Sequence, residues 1–386
     1  MSEEMKNLNN EQPEETPVVE TKPEGKKPLS KKQIGIIAGI AAAVVVLIVV
    51  LVIALGGNSN PGPSDPVLND YTLGMGVVIG DLKANQADAT IATVVLDKDG
   101  KIVACRIDAV QNKYAIADGT VTFKNLKTKM ELGNDYGMAG KVDANGDGVK
   151  LEWYEQAKAF EAHVVGMTGA QVAAMETAPN SMNYQMTTDE DLLKAGCTIQ
   201  ITDFKAAVAK ACSDEFKVSF KSEGNFTLGI AANSADDGSA VAEGVATIKM
   251  NVDLAASVVE GGKILASLND AIQPKIVVDA EGNVTSADTG KGADKIKTKR
   301  ELKADYGMAG KVDANGDGVK LEWYEQSAAF SAHVVGMTGE QVANMETAPN
   351  SMNYQMSTSE DLLKAGCTIQ IIGIKAVVAE SVANAR

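Results

Sequence analysis

Aromatic residues make up only 4% of this 386-residue chain, so any core must be built from Val, Ile, Leu, Ala and Met. Cysteine is scarce as well. Cys105, Cys197, Cys212 and Cys367 are too few for a disulfide framework, and none lies in a CxxC pair. Two readings stay open, a bridge between Cys105 and Cys212 or four separate buried thiols. The chain lacks basic excess: its net charge of −15 leaves no face to neutralise phosphates, which excludes nucleic acid as a partner. There is no P-loop, and Gly74–Gly80 (GMGVVIG) does not match the dinucleotide fingerprint. His163 and His333 are the only histidines, outside any HExxH motif, and no nucleophile–base pattern surrounds them. These absences point away from an enzyme.

One long apolar run is present. Ile34 to Leu55 carries 22 apolar or glycine residues without a charge, enough to span a hydrocarbon core of about 30 Å as a helix. Lys26, Lys27, Lys31 and Lys32 crowd its N-terminal side, and the next lysine is Lys83. The positive-inside rule then predicts a single-pass cell-membrane protein with its N-terminus cytoplasmic and the remainder extracytoplasmic. A cleaved signal peptide is the competing reading; the polar region ahead and the length of the run favour an anchor. Residues 1–33 have the composition of a disordered tail, and residues 56–68 that of a flexible spacer.

Internal repetition is the strongest signal. DYGMAGKVDANGDGVKLEWYEQ occurs at Asp135–Gln156 and unchanged at Asp305–Gln326, and the match continues through METAPNSMNYQM and EDLLKAGCTIQI. Upstream, YTLG at Tyr71 answers FTLG at Phe226 within diverged surroundings. The repeat predicts two tandem homologous modules, 69–213 and 222–386, each expected to fold on its own. Each opens with strands, turning at Asp97-Lys98-Asp99-Gly100 in the first and at Ala280-Glu281-Gly282-Asn283 in the second. Trp153, Ala157, Phe160 and Val164 then share one helical face. Thr168–Gln171 and Thr338–Gln341 are capping boxes. A short acidic helix opening at Thr188, a β-branched run at Thr198–Thr202 and a helix over Asp203–Cys212 complete an α+β fold class.

Two chemistries are legible. Asp143, Asn145 and Asp147, with Asp313, Asn315 and Asp317, fit the first calcium-ligand positions of an EF-hand loop. Position 12 holds Tyr154 or Tyr324 where a bidentate glutamate is required, and DANGDG is equally a tight-turn string. The second rests on Ala195-Gly196-Cys197-Thr198, repeated at Ala365-Gly366-Cys367-Thr368, which places a threonine after a helix-ending glycine. This resembles the extracytoplasmic FMN-binding domain family, in which a Ser-Gly-Ala-Thr motif carries FMN through a phosphodiester on the threonine. The resemblance implies FMN on Thr198 and Thr368 beside Gly196 and Gly366, with a flavin transferase or surface redox partner. Only the glycine and threonine of that motif are kept here. The sequence therefore reads as a membrane-anchored tandem-repeat interaction protein, with covalent FMN for electron transfer as its one nameable chemistry. The alternative is a structural or calcium-responsive surface protein without a redox cofactor.

Overall fold

The computed structural model describes residues 68–139, 150–290, 296–309, 320–350 and 353–386. It is a mixed α/β fold dominated by sheet, 40% strand against 28% helix, which corrects the expected α+β balance. The cause is strand length. Runs rich in Val, Ile, Thr and Ala extend as β1 (Asn69–Lys83), β2 (Gln86–Leu96) and β3 (Ile102–Ala117), followed by β4 (Thr120–Asn125). The turn at Asp97–Gly100 forms as its sequence requires. Asp97 Oδ1 accepts from the amides of Asp99 and Lys101 at 2.9 Å, and Gly100 takes a φ of 75°.

The helical part follows: α1 (Lys129–Leu132), α2 (Trp153–His163), α3 (Gly169–Ala173), the hairpin β5 (Thr177–Pro179) and β6 (Gln185–Thr187), α4 (Glu190–Lys194) and α5 (Thr202–Ser213). Both capping boxes at Thr168 and Thr338 are made. The run at Thr198–Thr202 is not a strand; Gln200 makes one bridge to Met186, and Thr202 already opens α5. β7 (Val218–Ser222) then returns to pair antiparallel with β1, giving the strand order β4-β3-β2-β1-β7.

The second module repeats the plan with β8 (Thr227–Asp236), β9 (Ala240–Ala242), β10 (Val245–Glu260), β11 (Lys263–Ile272), β12 (Lys275–Val278) and β13 (Val284–Asp288). β10 is the spine, pairing with β8 and β11 along one stretch and with β9 and β12 along the other. Its helices are α6 (Lys299–Leu302), α7 (Trp323–His333), α8 (Gly339–Ala343), α9 (Glu360–Lys364) and α10 (Ile372–Ala383), with the hairpin β14 (Thr347–Pro349) and β15 (Gln355–Ser357).

Side chains of a strand alternate between faces, and here both faces are buried. On β2, Ala92, Val94 and Leu96 meet the helices of their own module, packing with Trp153, Phe160 and Phe204. Ala89, Ile91 and Val95 point the other way and join Leu228, Leu254, Val258 and Leu268 of the second sheet in one cluster. The layers therefore run helix, sheet, sheet, helix, and the two copies share their central core. Close approach explains the glycine of the TLG motif. A Cβ on Gly74 would lie 2.2 Å from the Ala211 carbonyl oxygen of α5, and one on Gly229 would lie 1.7 Å from that of Ser381 on α10.

The expectation of a single-pass membrane protein is corrected: among the described residues no helix is long and apolar enough to cross a membrane. The run at 34–55 lies outside the described residues, as do the tail over 1–33 and the spacer up to residue 67.

Candidate functional site

The near-identical part of the repeat builds a polar hub around α2 and α7. Glu152 is buried, and its carboxylate accepts from the amides of Met138 at 2.9 Å and Ala139 at 3.1 Å. It thereby clamps the incoming chain to the start of α2. Glu155 closes a capping box on the Glu152 amide at 2.8 Å. One turn on, Gln156 Nε2 donates to the Leu151 carbonyl at 3.0 Å, while its Oε1 accepts from both the amide and the hydroxyl of Thr198. Glu322, through the Met308 amide, and Glu325, Gln326 and Thr368 repeat these contacts in the second copy. The sameness of EWYEQ in the two copies has a structural reason: its two glutamates and its glutamine satisfy backbone groups that the fold holds around them.

The same geometry decides the flavin reading. Thr198 and Thr368 are each only 8% exposed, and each hydroxyl donates to a glutamine Oε1 at 3.0 Å. Gly196 and Gly366 take φ near 89° and 87° to end α4 and α9, with Leu151 and Leu321 packed where a Cβ would stand. A phosphodiester needs a hydroxyl that a transferase can reach, so these residues do not fit an attached FMN. The calcium candidates Asp143, Asn145, Asp147, Asp313, Asn315 and Asp317 lie outside the described residues. Among the described residues no cluster of three or more His, Cys, Asp or Glu could hold a metal ion.

The histidines and cysteines resolve quietly. His163 Nε2 stands 3.5 Å from Asp189 Oδ2, but Ser359 takes the place of Asp189 beside His333, so the pair is not repeated. All four cysteines are free, and burial pushes the Cys197 and Cys367 thiols up to about 12.

Two constellations escaped sequence reasoning. Lys129 lies over the rings of Tyr136 and Trp153 at 5.0 and 5.3 Å, and Lys299 lies over Tyr306 and Trp323 at 5.3 and 5.2 Å. In the first module the lysine interacts with Asp203 of α5; in the second it interacts with Asp253 of β10. Gly373 occupies the place of Asp203 in α10, because a side chain there would strike Asp253, 2.0 Å from a Cβ. Lys129 also interacts with Asp88 of β2, so the first copy draws on acid from helix and strand, and the second keeps only the strand side. Each cage is filled by the protein's own lysine, so it offers no aromatic face to an outside cation.

The second constellation is a buried aspartate. Asp108 Oδ1 accepts from the amides of Ala109 at 2.7 Å and Met130 at 3.1 Å, and Asp270 does the same for Ala271 and Arg300. Each holds the first turn of a short helix against its sheet. Burial pushes the Asp108 carboxyl up to about 7 and raises that of Asp270. The folded protein therefore keeps a proton that the unfolded chain releases above about pH 4, and stability falls as pH rises from about 4 to about 7. Asp108→Asn is neutral at every pH and is expected to flatten that part of the slope. Urea midpoints at about pH 5 and about pH 8 measure it, and an unchanged slope would remove Asp108 as its source.

The most exposed large side chains of the repeat, among the described residues, stand on the β5–β6 hairpin. Asn180 Oδ1 accepts from the amides of Met182 and Tyr184 at 2.9 Å, and Asn183 takes a left-handed φ of 64°. This turn holds Met182 at 63% exposure and Tyr184 at 51%. In the second copy Asn350 braces Tyr354 likewise, and Tyr354 is also 51% exposed. Comparisons with family models, curated proteins and solved structures find no match.

Proposed function

We propose that this chain is a non-enzymatic binding protein that presents one contact face twice. The observation that carries the reading is the hairpin tip: Tyr184 and Tyr354, each braced by an asparagine turn, stand half in solvent at matching places of the two copies, with Met182 exposed beside Tyr184. Exposed tyrosine and methionine on a rigid turn supply contact area at small entropic cost. The distribution of divergence supports it. The inner sheets differ because they must fit each other, and Glu161, which contacts the other module through Arg386, becomes Ser331. The tip sequence APNSMNYQM is the same in both copies.

Two equal faces bind a repeated or multivalent partner with avidity. The test is a photo-crosslinking residue at Met182 in the native host. The expected result is one partner crosslinked, lost when Tyr184→Ser and Tyr354→Ser are combined, with the thermal midpoint unchanged. A crosslinking pattern indifferent to both tyrosines would overturn the reading.

A further inference from the structure

The lysine cage of the second module holds one more group. Lys299 Nζ donates to Asn251 Oδ1 at 3.4 Å, which brings the amine beside the carbonyl carbon of a side-chain amide. Asn251 and Asp253 lie two residues apart on β10 and so share a face. Val252 and Leu254, which alternate with them, point into the shared core, so Asn251 and Asp253 face the helical side. The Asn251 amide hydrogen-bonds to the Asp253 carboxyl. The rings of Tyr306 and Trp323 flank the amine, and Lys299 is only 7% exposed. A nucleophile, an electrophilic carbon and an acid–base group therefore meet at one point. Burial favours the uncharged form of both ionisable partners. It lowers the Lys299 amine against the pull of Asp253, Asp270 and Asp237, and it raises the Asp253 carboxyl.

The first copy holds no such set. Leu96 and Val259 occupy matching rungs, opposite Ile102 and Ile264. Counting back along the strands places Asp88 and Thr90 where the second copy has Asn251 and Asp253. Lys129 there meets the Asp88 carboxylate, with the buried Thr90 in place of an acid. The second copy has exchanged an ion pair for an amide and set an acid two residues along, where Gly373 leaves room for it.

We propose that Lys299 and Asn251 are joined by an intramolecular isopeptide bond, with Asp253 as the proton carrier. The Lys299 amine attacks Cγ of Asn251 and forms the new C–N bond. Asp253 gives its proton to the departing Nδ2 and takes one from the attacking nitrogen. The bond from Cγ to Nδ2 breaks and ammonia leaves, so no oxidant or cofactor is consumed. Holding the amine against the amide replaces an encounter in solution, which is the main barrier to such a reaction. The product staples β10, the spine of the second sheet, to α6.

A tryptic digest of the full chain, read by mass spectrometry, tests the bond. One branched peptide joining Lys299 to Asn251 is expected, about 17 Da lighter than its two parts together, the mass of one ammonia. Lys299→Arg keeps the charge and removes the branch. Asp253→Thr installs the residue that the first copy carries and leaves both bonding partners in place. It is expected to cut the branched fraction at least about tenfold in freshly purified protein. A cooperative thermal transition shows that each variant is folded. Separate, unmodified Lys299 and Asn251 peptides from the wild-type chain would overturn the bond. A branch that persists undiminished in folded Asp253→Thr would overturn the role of Asp253.

Discussion

A fragment of residues 222–386 is expected to aggregate, or to unfold without a cooperative transition, although it holds a whole copy of the repeat. Cutting there bares the inner face of the second sheet, where Leu228, Ile230, Val252, Leu254, Val258 and Ile272 are buried against Leu73, Ile91 and Val95. Each large apolar side chain returned to water costs about 1.5–3 kcal/mol. Six of them cost about 9–18 kcal/mol, as much as the about 5–15 kcal/mol by which a domain is normally stable. Size exclusion and urea unfolding measure the outcome. Co-expression with residues 68–221 is expected to restore a soluble, cooperative complex, because the missing face is then supplied in trans. A monomeric fragment with a sharp transition would refute the shared core.

Arg300→Met is expected to destabilise the whole chain by about 3–5 kcal/mol, the cost of leaving a buried charge without its partner. Arg300 Nη2 donates to Asp214 Oδ2 at 2.6 Å, and the two side chains are 5% and 7% exposed. The same carboxylate accepts from the amides of Met75 at 3.2 Å and Phe216 at 2.9 Å, so it cannot turn to solvent. The guanidinium also lies 4.7 Å from the centre of the Phe216 ring. Met is the residue that the first copy carries at the matching position, Met130, so the shape of the variant is compatible with the fold. Adding Asp214→Asn is expected to recover part of the loss, since the charge is gone and the single amide oxygen keeps the Phe216 bond, while the bond from the Met75 amide is lost. Guanidinium midpoints for the single and double variants separate this from a packing defect. A loss below about 1 kcal/mol for Arg300→Met would place the pair in the class of solvated ion pairs.

How much of this was legible beforehand depended on range. Turns, caps and helix faces are local, and they read correctly: Asp97–Gly100, Thr168–Gln171 and the Trp153–Phe160 face are specified by residues within a few positions of each other. Duplication was legible because identity needs no structure. Thr198–Thr202 misled because β-branched residues describe a strand only until a neighbour intervenes. The glutamine of the Trp-bearing helix, 42 residues away, takes both donors of Thr198 and leaves no ladder for it to join. The same bond withdrew the hydroxyl that a flavin would need.

The sequence by itself determined that there are two related units, which faces of their helices are apolar, and where the chain turns. Only the tertiary structure decided that the units share a core. A strand buried on both faces shows the same apolar run whether its second face meets a helix or another sheet. It alone decided, too, that the lysine of the cage meets Asp88 and Asp203 in one copy and Asp253 in the other. That exchange joins residues on different elements, which no local pattern connects; only the space beside Gly373 makes it visible.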